Sequence, residues 1–462
     1  MRSIPVRAMN PCSLLRTLRA AGLLLAIQTI AGGRAYGQAG QAVPVAPHQV
    51  VVDSMAHSLR LKMLDREVDA AGARSAQAGA QGLPLVTANA QAMHYTGLDD
   101  SSLSPFLVIP FIEDRYSAGV TLMQPLYTGG RITSQKQSAD YHEGAVRHER
   151  RSAEADLILQ ALTAYWNWSK AFYSVESLKA AVGRMEAHAR DMRNLQQAGL
   201  ATDNDALATE VMLDQTRLRL EEAMRRVEVA AARITFLTGM TLGADRLPQK
   251  AVSQLSPEVP SEAALLEVAQ NNRAERSARV MEAKAAASQV RAVRADYSPQ
   301  VSLIARYEQA RPNLLDIPPR DTWQDDAFIG ISLSWSLFDW GLRRAKVAEV
   351  SARRAQARLQ VEQAEEQISL EVREARINLE DACERITVAD RVEQIARKNL
   401  TAATDLWQNG LARHSDVLDA HQQLTAAQYE VIAAGADAEL ARAALDHAVG
   451  LLKISPPYAD KN

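Results

Sequence analysis

The sequence predicts a mainly α-helical chain with a membrane β-barrel part: long antiparallel coiled-coil helices, plus four β-strands that contribute to an oligomeric barrel. Three observations carry this expectation. The chain repeats itself at a fixed offset, its long segments carry a helical apolar stripe, and short segments before them alternate apolar and polar residues with period two.

The repeat comes first because it organises the rest. Leu126-Tyr127-Thr128-Gly129-Gly130 returns as Leu337-Phe338-Asp339-Trp340-Gly341, an offset of 211 between positions 126 and 337. The same offset carries Gly199-Leu200-Ala201, with Asp205 and Leu207, onto Gly410-Leu411-Ala412, with Asp416 and Leu418. Pro84 pairs with Pro299 at offset 215, so a four-residue length difference falls between the proline and the Leu-aromatic motif, where a loop absorbs it. Each half then reads as helix, two strands, long helix, tip, helix. The expected organisation is a leader at 1–37, a first repeat at 38–241, a linker at 242–261, a second repeat at 262–453 and a tail at 454–462.

The long helices follow from spacing. Val372, Ala375, Leu379, Ala382 and Ile386 step by three and four residues along one stripe, while Glu371, Arg373, Glu374 and Arg376 are expected to face away. The first half repeats the stripe with Ala161, Ala164, Trp168, Ala171 and Val175. Alanine at alternate seam positions lets helix axes approach closely. No proline falls between Gly130 and Gly199, or between Gly341 and Gly410. At about 1.5 Å per residue, each of these segments would make a rod of about 100 Å, a length that fits a periplasm-spanning element.

Ala327, Ile329, Ile331, Leu333, Trp335 and Leu337 alternate with Phe328, Gly330, Ser332, Ser334, Ser336 and Phe338, which predicts one strand with an apolar and a mostly small or polar face. Ser117 to Leu126 repeats the register more weakly, partner strands follow Pro84 and Pro299, and polar or proline-rich loops are expected near Asp99–Ser104 and Pro312–Asp326. About ten residues per strand, apolar on one side and wet on the other, suits a membrane barrel; Ile329, Ile331, Leu333 and Trp335 are the expected lipid-facing residues. Open sheet edges cannot sit in lipid and membrane barrels start at about eight strands, so four strands require several copies.

Arg2, Arg7, Arg16 and Arg19, an apolar run from Ala20 to Ile27 and small residues ending in Ala35-Tyr36-Gly37 read as a secretory signal peptide, cleaved after Gly37. Residues 1–37 hold five Arg and no acid, so the 52 basic residues fall to 47 against 55 acids, a net of −8. An acidic mature chain disfavours nucleic acid as a partner. Aromatics make up only 5% and hydrophobic residues 47%, a mixture that suits thin helical seams. Cys383 remains alone after cleavage and lies in an apolar helical register, so packing is its expected role.

In its two-fold repeat, its Leu-aromatic-x-x-Gly strand ends and its Gly-Leu-Ala…Asp-x-Leu tips, the sequence resembles the TolC family of outer-membrane efflux and secretion channels. The resemblance covers nearly all of the mature chain. It implies a homotrimer with a twelve-stranded barrel in outer-membrane lipid and a twelve-helix tunnel in the periplasm. It also implies tips, here Gly199, Leu200, Ala201, Gly410, Leu411 and Ala412, at which a periplasmic adaptor and an inner-membrane pump or ABC transporter dock. The family's acidic entrance ring resembles Asp416 and Asp419, and Asp205 stands at the equivalent of Asp416 in the first repeat. The tyrosine and arginine of the family's gate fall here on Trp407 and Ala412, with Arg413 beside it; an indole donates one hydrogen bond and accepts none, so that latch would differ.

Asp416 and Asp419, at i and i+3, share a helix face, and copies around an axis would make a negative constriction. Helix N-terminal acids favoured by the dipole are the second reading, ranked behind the entrance ring. Thr202-x-x-Asp205 reads as a capping box with Asp for Glu, whereas Arg413 occupies the matching hydroxyl position, so Asp416 is expected to lack that role. An enzyme is not expected: His142-Glu143 and His148-Glu149 lack zinc-helix spacing and are expected on a solvated face, and Thr128-Gly129-Gly130-Arg131 is no phosphate loop. No cofactor or metal is expected. The rival reading is a periplasmic coiled-coil adaptor or an adhesin, though two strand-helix-tip-helix copies fit a channel better.

Overall fold

The computed structural model describes residues 43–97, 101–104, 107–109, 112–243, 246–251, 259–316 and 320–453. The leader expected at 1–37, the tail at 454–462 and linker residues 252–258 lie outside the described residues.

The chain runs β1 (Val43–Val45), α1 (Pro47–His57), α2 (Leu59–Ala80), β2 (Leu85–His94), β3 (Ser101–Ser104), β4 (Leu107–Ile109), β5 (Asp114–Tyr127), α3 (Arg131–Gln197) and α4 (Asp203–Thr238). It continues with β6 (Arg246–Pro248), α5 (Glu262–Asn272), α6 (Ala274–Arg294), β7 (Gln300–Arg311), β8 (Gln324–Ser334), α7 (Leu342–Gln408) and α8 (His414–Ala448). The long helices α3 and α7 hold 67 residues each and begin and end at positions 211 apart. Left-handed glycines bound both, with φ of 82° and 88° at Gly130 and Gly341, and 72° at both Gly199 and Gly410.

Two expectations need correction here. The helix that opens each half is broken in two, at Ser58 and at Arg273, with nearly the same backbone angles (φ −59°, ψ 114° and φ −66°, ψ 114°). Ser58 makes its break by capping α2, accepting from the Leu61 N–H at 3.3 Å. Arg273 instead reaches across to Glu371 at 2.7 Å and to the His447 carbonyl at 3.3 Å. Glu371 and Arg373 stay off the buried stripe, as expected, and meet the α5–α6 corner, where Arg373 pairs with Glu262 at 2.8 Å. The loop expected near Asp99–Ser104 holds the small antiparallel ladder of β3 with β4.

The main sheet has the order β2-β5-β7-β8, all antiparallel, so the two repeats meet at β5 and β7. Its register lines up Val86, Leu122, Ala305 and Ile329 in one row and Thr87, Thr121, Arg306 and Phe328 in the next. A mostly apolar face thus lies opposite one carrying Thr87, Asn89, Thr121 and the Arg306–Glu308 ion pair. The strand expected to run through Trp335 and Leu337 stops at Ser334. Its ladder partner β7 starts at Gln300, and Pro299 before it has no N–H to offer, so Trp335 leaves the ladder and its indole donates to the Tyr297 carbonyl at 3.0 Å.

Helix order follows strand order: α2, α3, α6 and α7 stand side by side next to the sheet, and α4, α3, α8 and α7 toward the tips. The seams are those expected, with Val372, Ala375, Leu379, Ala382 and Ile386 all buried and Cys383 packed beside them as a free thiol. Between the two ends Tyr165, fully buried, donates to the Val45 carbonyl and accepts from the Gln249 N–H, both at 2.7 Å. That one hydroxyl ties the β1–β6 ladder, and hence the linker, to α3 among Val50, Ile158, Trp168 and Ile234. No helix among the described residues is long and apolar enough to cross a membrane.

Candidate functional site

The two tips share one backbone. At each, the glycine N–H bonds back three residues (Gly199 to Gln196, 3.0 Å; Gly410 to Trp407, 2.9 Å), and the following leucine N–H bonds back five (Leu200 to Leu195 and Leu411 to Leu406, both 2.8 Å). Only a residue free to take positive φ closes a helix this way. Leu200 and Leu411 are then thrust outward, each 76% exposed, with Ala201 and Ala412 behind them.

After each turn a new helix must satisfy its leading N–H groups. At α4 the full capping box forms: the Asp205 N–H donates to the Thr202 hydroxyl at 3.2 Å, and the Thr202 N–H donates to the Asp205 carboxylate at 3.3 Å. The Thr202 side chain holds the Asp205 carboxyl below its usual range. Asp416, expected to have no such role, has half of it: its carboxylate accepts from the Arg413 N–H at 3.0 Å. That bond comes from the backbone, so the loss of the hydroxyl does not remove it. Asp419 and the Arg413 side chain are exposed, and the structure assigns Asp416 and Asp419 to one exposed face of α8.

Trp407 does not lie free at the tip. Its half-buried indole packs 5.8 Å from the His188 ring and 5.5 Å from the His414 ring, and His188 also stacks on His414 at 5.1 Å and neighbours His421 at 5.5 Å. Sequence reasoning missed these three histidines. His414 and His421 stand seven residues apart on α8, a heptad spacing that puts them on one face, but nothing in the sequence pointed to His188 on α3 as their partner. Away from the tips His142 is exposed, whereas His148, expected on a solvated face, is half-buried and its pKa is lowered by burial and by Arg151. No group of three His, Cys, Asp or Glu among the described residues could hold a metal ion.

The expected lipid-facing residues Ile329, Ile331, Leu333 and Trp335 are all exposed on the single chain, although only the first three lie on β8. Further exposed apolar residues mark both edges of the helical layer. On α4 they include Leu207, Val211, Leu218, Val229 and Phe236, with Met224 off that spacing; on α7 they include Leu359, Leu370, Ile377, Val388, Ile395 and Leu406. Their steps of four, seven and eleven repeat the seam spacing with no partner beside them in one copy.

A strand pair joined to a long helical hairpin, given twice and unfinished at both edges, defines a channel-type subunit. The chain belongs to the outer membrane efflux protein family, which matches it over residues 50–240 and 265–451. These are channel proteins, not enzymes. Comparison with curated proteins gives no match. Among solved structures the chain is similar to the outer-membrane channel OprN, with 20% identity, 87% of this chain and 89% of that one covered, and a TM-score of 0.76. It is similar also to the Campylobacter jejuni CmeC outer membrane channel (17% identity, 95% of both chains, TM-score 0.74). A third is the open state of the Neisseria gonorrhoeae MtrE outer membrane channel (17% identity, 88% and 89%, TM-score 0.73). At such identities the likeness carries the fold, and with it the resemblance to TolC-like channels.

Proposed function

We propose that this chain is one third of an outer-membrane homotrimer, the exit channel of a tripartite efflux pump or type I secretion system. The observation that carries the reading is the pair of unfinished edges. The sheet ends in the unpaired strands β2 and β8, and the helical layer ends on the same sides in α2 and α4 and in α7, with exposed apolar stripes on α4 and α7. A head-to-tail ring of copies pairs β8 with the next β2 and α7 with the next α4, which removes every open edge from lipid. The apolar sheet row through Ile329 then faces lipid and the polar row faces water.

In this assembly Gly199, Leu200, Ala201, Gly410, Leu411 and Ala412 are the surface a periplasmic adaptor engages, and cargo comes from an inner-membrane pump or ABC transporter. Asp416 and Asp419, with Asp205 nearby, line the periplasmic entrance beside Arg413. Planar-bilayer recording tests this. Divalent or trivalent cations added on the periplasmic side should block the current, and Asp416→Ala with Asp419→Ala should relieve the block with assembly intact. Wild-type block in the double variant would mean that these acids serve only their helix.

A further inference from the structure

Just behind the tips four helices meet around three imidazoles. His188 comes from α3, His414 and His421 from α8, Trp407 from α7 closes one side, and Thr209 from α4 holds His414. His188 and His414 are only 8% and 7% exposed, and among the described residues His188 Nε2 and His414 Nδ1 have no hydrogen-bond partner. The Thr209 hydroxyl donates to the Asp205 carbonyl at 2.8 Å and lies 2.8 Å from His414 Nε2. With its proton committed to that carbonyl, the hydroxyl accepts from His414 Nε2–H, which leaves Nδ1 bare and neutral. The buried neighbours along the same stretch of α3 and α8, Met185, Ala189, Met192, Val417, Leu418 and Leu424, carry no titratable group. At offset 211 the equivalent positions, Asn399 on α7 and Asp203 and Glu210 on α4, are exposed in the single chain and hold no histidine, so the histidines are peculiar to this one seam.

We propose that His188, His414 and His421 form a proton-operated latch: neutral, they pack α3 against α8 behind the tips, and protonated, they drive the two helices apart. The proposal rests on the entrance reading above for its consequence, a tunnel end that loosens in acid. A proton added to His188 Nε2 or His414 Nδ1 finds no acceptor in the closed packing, and a second positive ring would lie about 5 Å from the first. Separation of the helices lets water solvate both.

Charges on α3, α4 and α7 bear on the three rings. Arg184 on α3 donates to Gln428 at 3.2 Å, and it opposes protonation of His421; Arg397 on α7 in turn lowers the pKa of Arg184, after burial. Asp191 on α3 favours protonation of His188, and Asp205 on α4 favours that of His414. Burial outweighs both acids. It pushes His188 and His421 down to about 4, each with help from the neighbouring imidazoles, and lowers His414 as well. Between the ordinary value of 6.5 and about 4, the opened arrangement binds more protons than the closed one. Closure is therefore fully favoured above about pH 6.5 and is lost as the pH falls toward 4.

Hydrogen exchange on the detergent-solubilised full chain tests this without requiring conduction. Between about pH 7.5 and about pH 5, after correction for intrinsic exchange, peptides covering 185–192 and 414–421 should open on the order of tenfold more, while those covering 158–168 should not. In His188→Gln with His421→Gln the rise should shrink to the small part that His414 alone contributes. A flat wild-type profile, or an equal rise in the double variant, overturns the latch. If the double variant does not assemble, His421→Gln alone should show a smaller rise, and an undiminished one counts against the proposal. Bilayer conductance at about pH 7.5 judges the channel reading separately.

Discussion

At the first tip Thr202 and Asp205 exchange three hydrogen bonds, whereas at the second, 211 residues on, Arg413 replaces the threonine and Asp416 keeps only the bond from the backbone. The glycine turns before them are the same to within the precision of a hydrogen bond. The contrast recurs elsewhere. Ser58 breaks its helix with a local cap, and its counterpart Arg273 does so by reaching to Glu371 and His447. Gly129 turns at φ 62° where a Cβ would sit 2.5 Å from that of Ser298, yet Trp340 takes the equivalent turn at φ 54° with its ring 91% exposed. The backbone repeats because glycine, proline and seam spacing impose it; the side chains that secure it differ. At the kinks the first half uses a short local bond and the second a long residue that reaches to other helices.

The largest effect expected from this comparison lies where the halves agree. Leu122 and Leu333 are repeat equivalents on the apolar face of the sheet, so Leu122→Arg and Leu333→Arg should each cost about 2–4 kcal/mol near the bilayer midplane and abolish the trimer on a mild-detergent gel. Ser334→Arg, on the polar face, should assemble. Equal tolerance of arginine at 333 and 334 would refute the face assignment.

The kinks come next. Arg273 is 6% exposed but its partner carboxylates are partly solvated, so Arg273→Ala should lower stability by about 1–3 kcal/mol in thermal unfolding, after allowance for screening. Ser58→Ala should cost only about 1 kcal/mol. The reverse ranking would mean that the reach of Arg273 is incidental.

The tips should show the smallest differences. Thr202→Ala should cost about 0.5–2 kcal/mol, against less than about 0.5 kcal/mol for Arg413→Ala, whose useful donor is its backbone N–H. Because Thr202 holds the Asp205 carboxyl below its usual range, the first cap contributes fully above that range and is lost as the pH falls through the lowered value. A denaturation series in acid, wild type against Asp205→Ala, checks this: the two should converge at low pH.

Periodic features were legible in the sequence and solitary ones were not. The α3 and α7 boundaries, the buried seam at Val372 to Ile386 and the strand pairs after Pro84 and Pro299 all come from spacing or from proline and glycine, which act locally. The end of β8 was misjudged because alternation continues through Trp335 and Leu337, while pairing depends on where a distant strand starts. Arg273, Tyr165 and the histidine group escaped for a related reason. Each acts across tens or hundreds of residues, to Glu371, Val45 and His188 respectively, and no local pattern announces such a meeting. The role of Asp416 is not legible from the residue at the cap position, because its carboxylate accepts from a backbone N–H that every residue but proline supplies.

The central claim, that copies close head to tail through α4 and α7, is tested most directly by a disulfide between them. Leu218 on α4 and Val392 on α7 are both exposed and lie at similar distances from their tips, each about ten helical residues or more away. With Cys383→Ala as background, Leu218→Cys and Val392→Cys in one chain should give, on oxidation, a covalent species of three subunits, while either cysteine alone should not. Monomers that never cross-link, or a ladder extending past three, would contradict the closed ring.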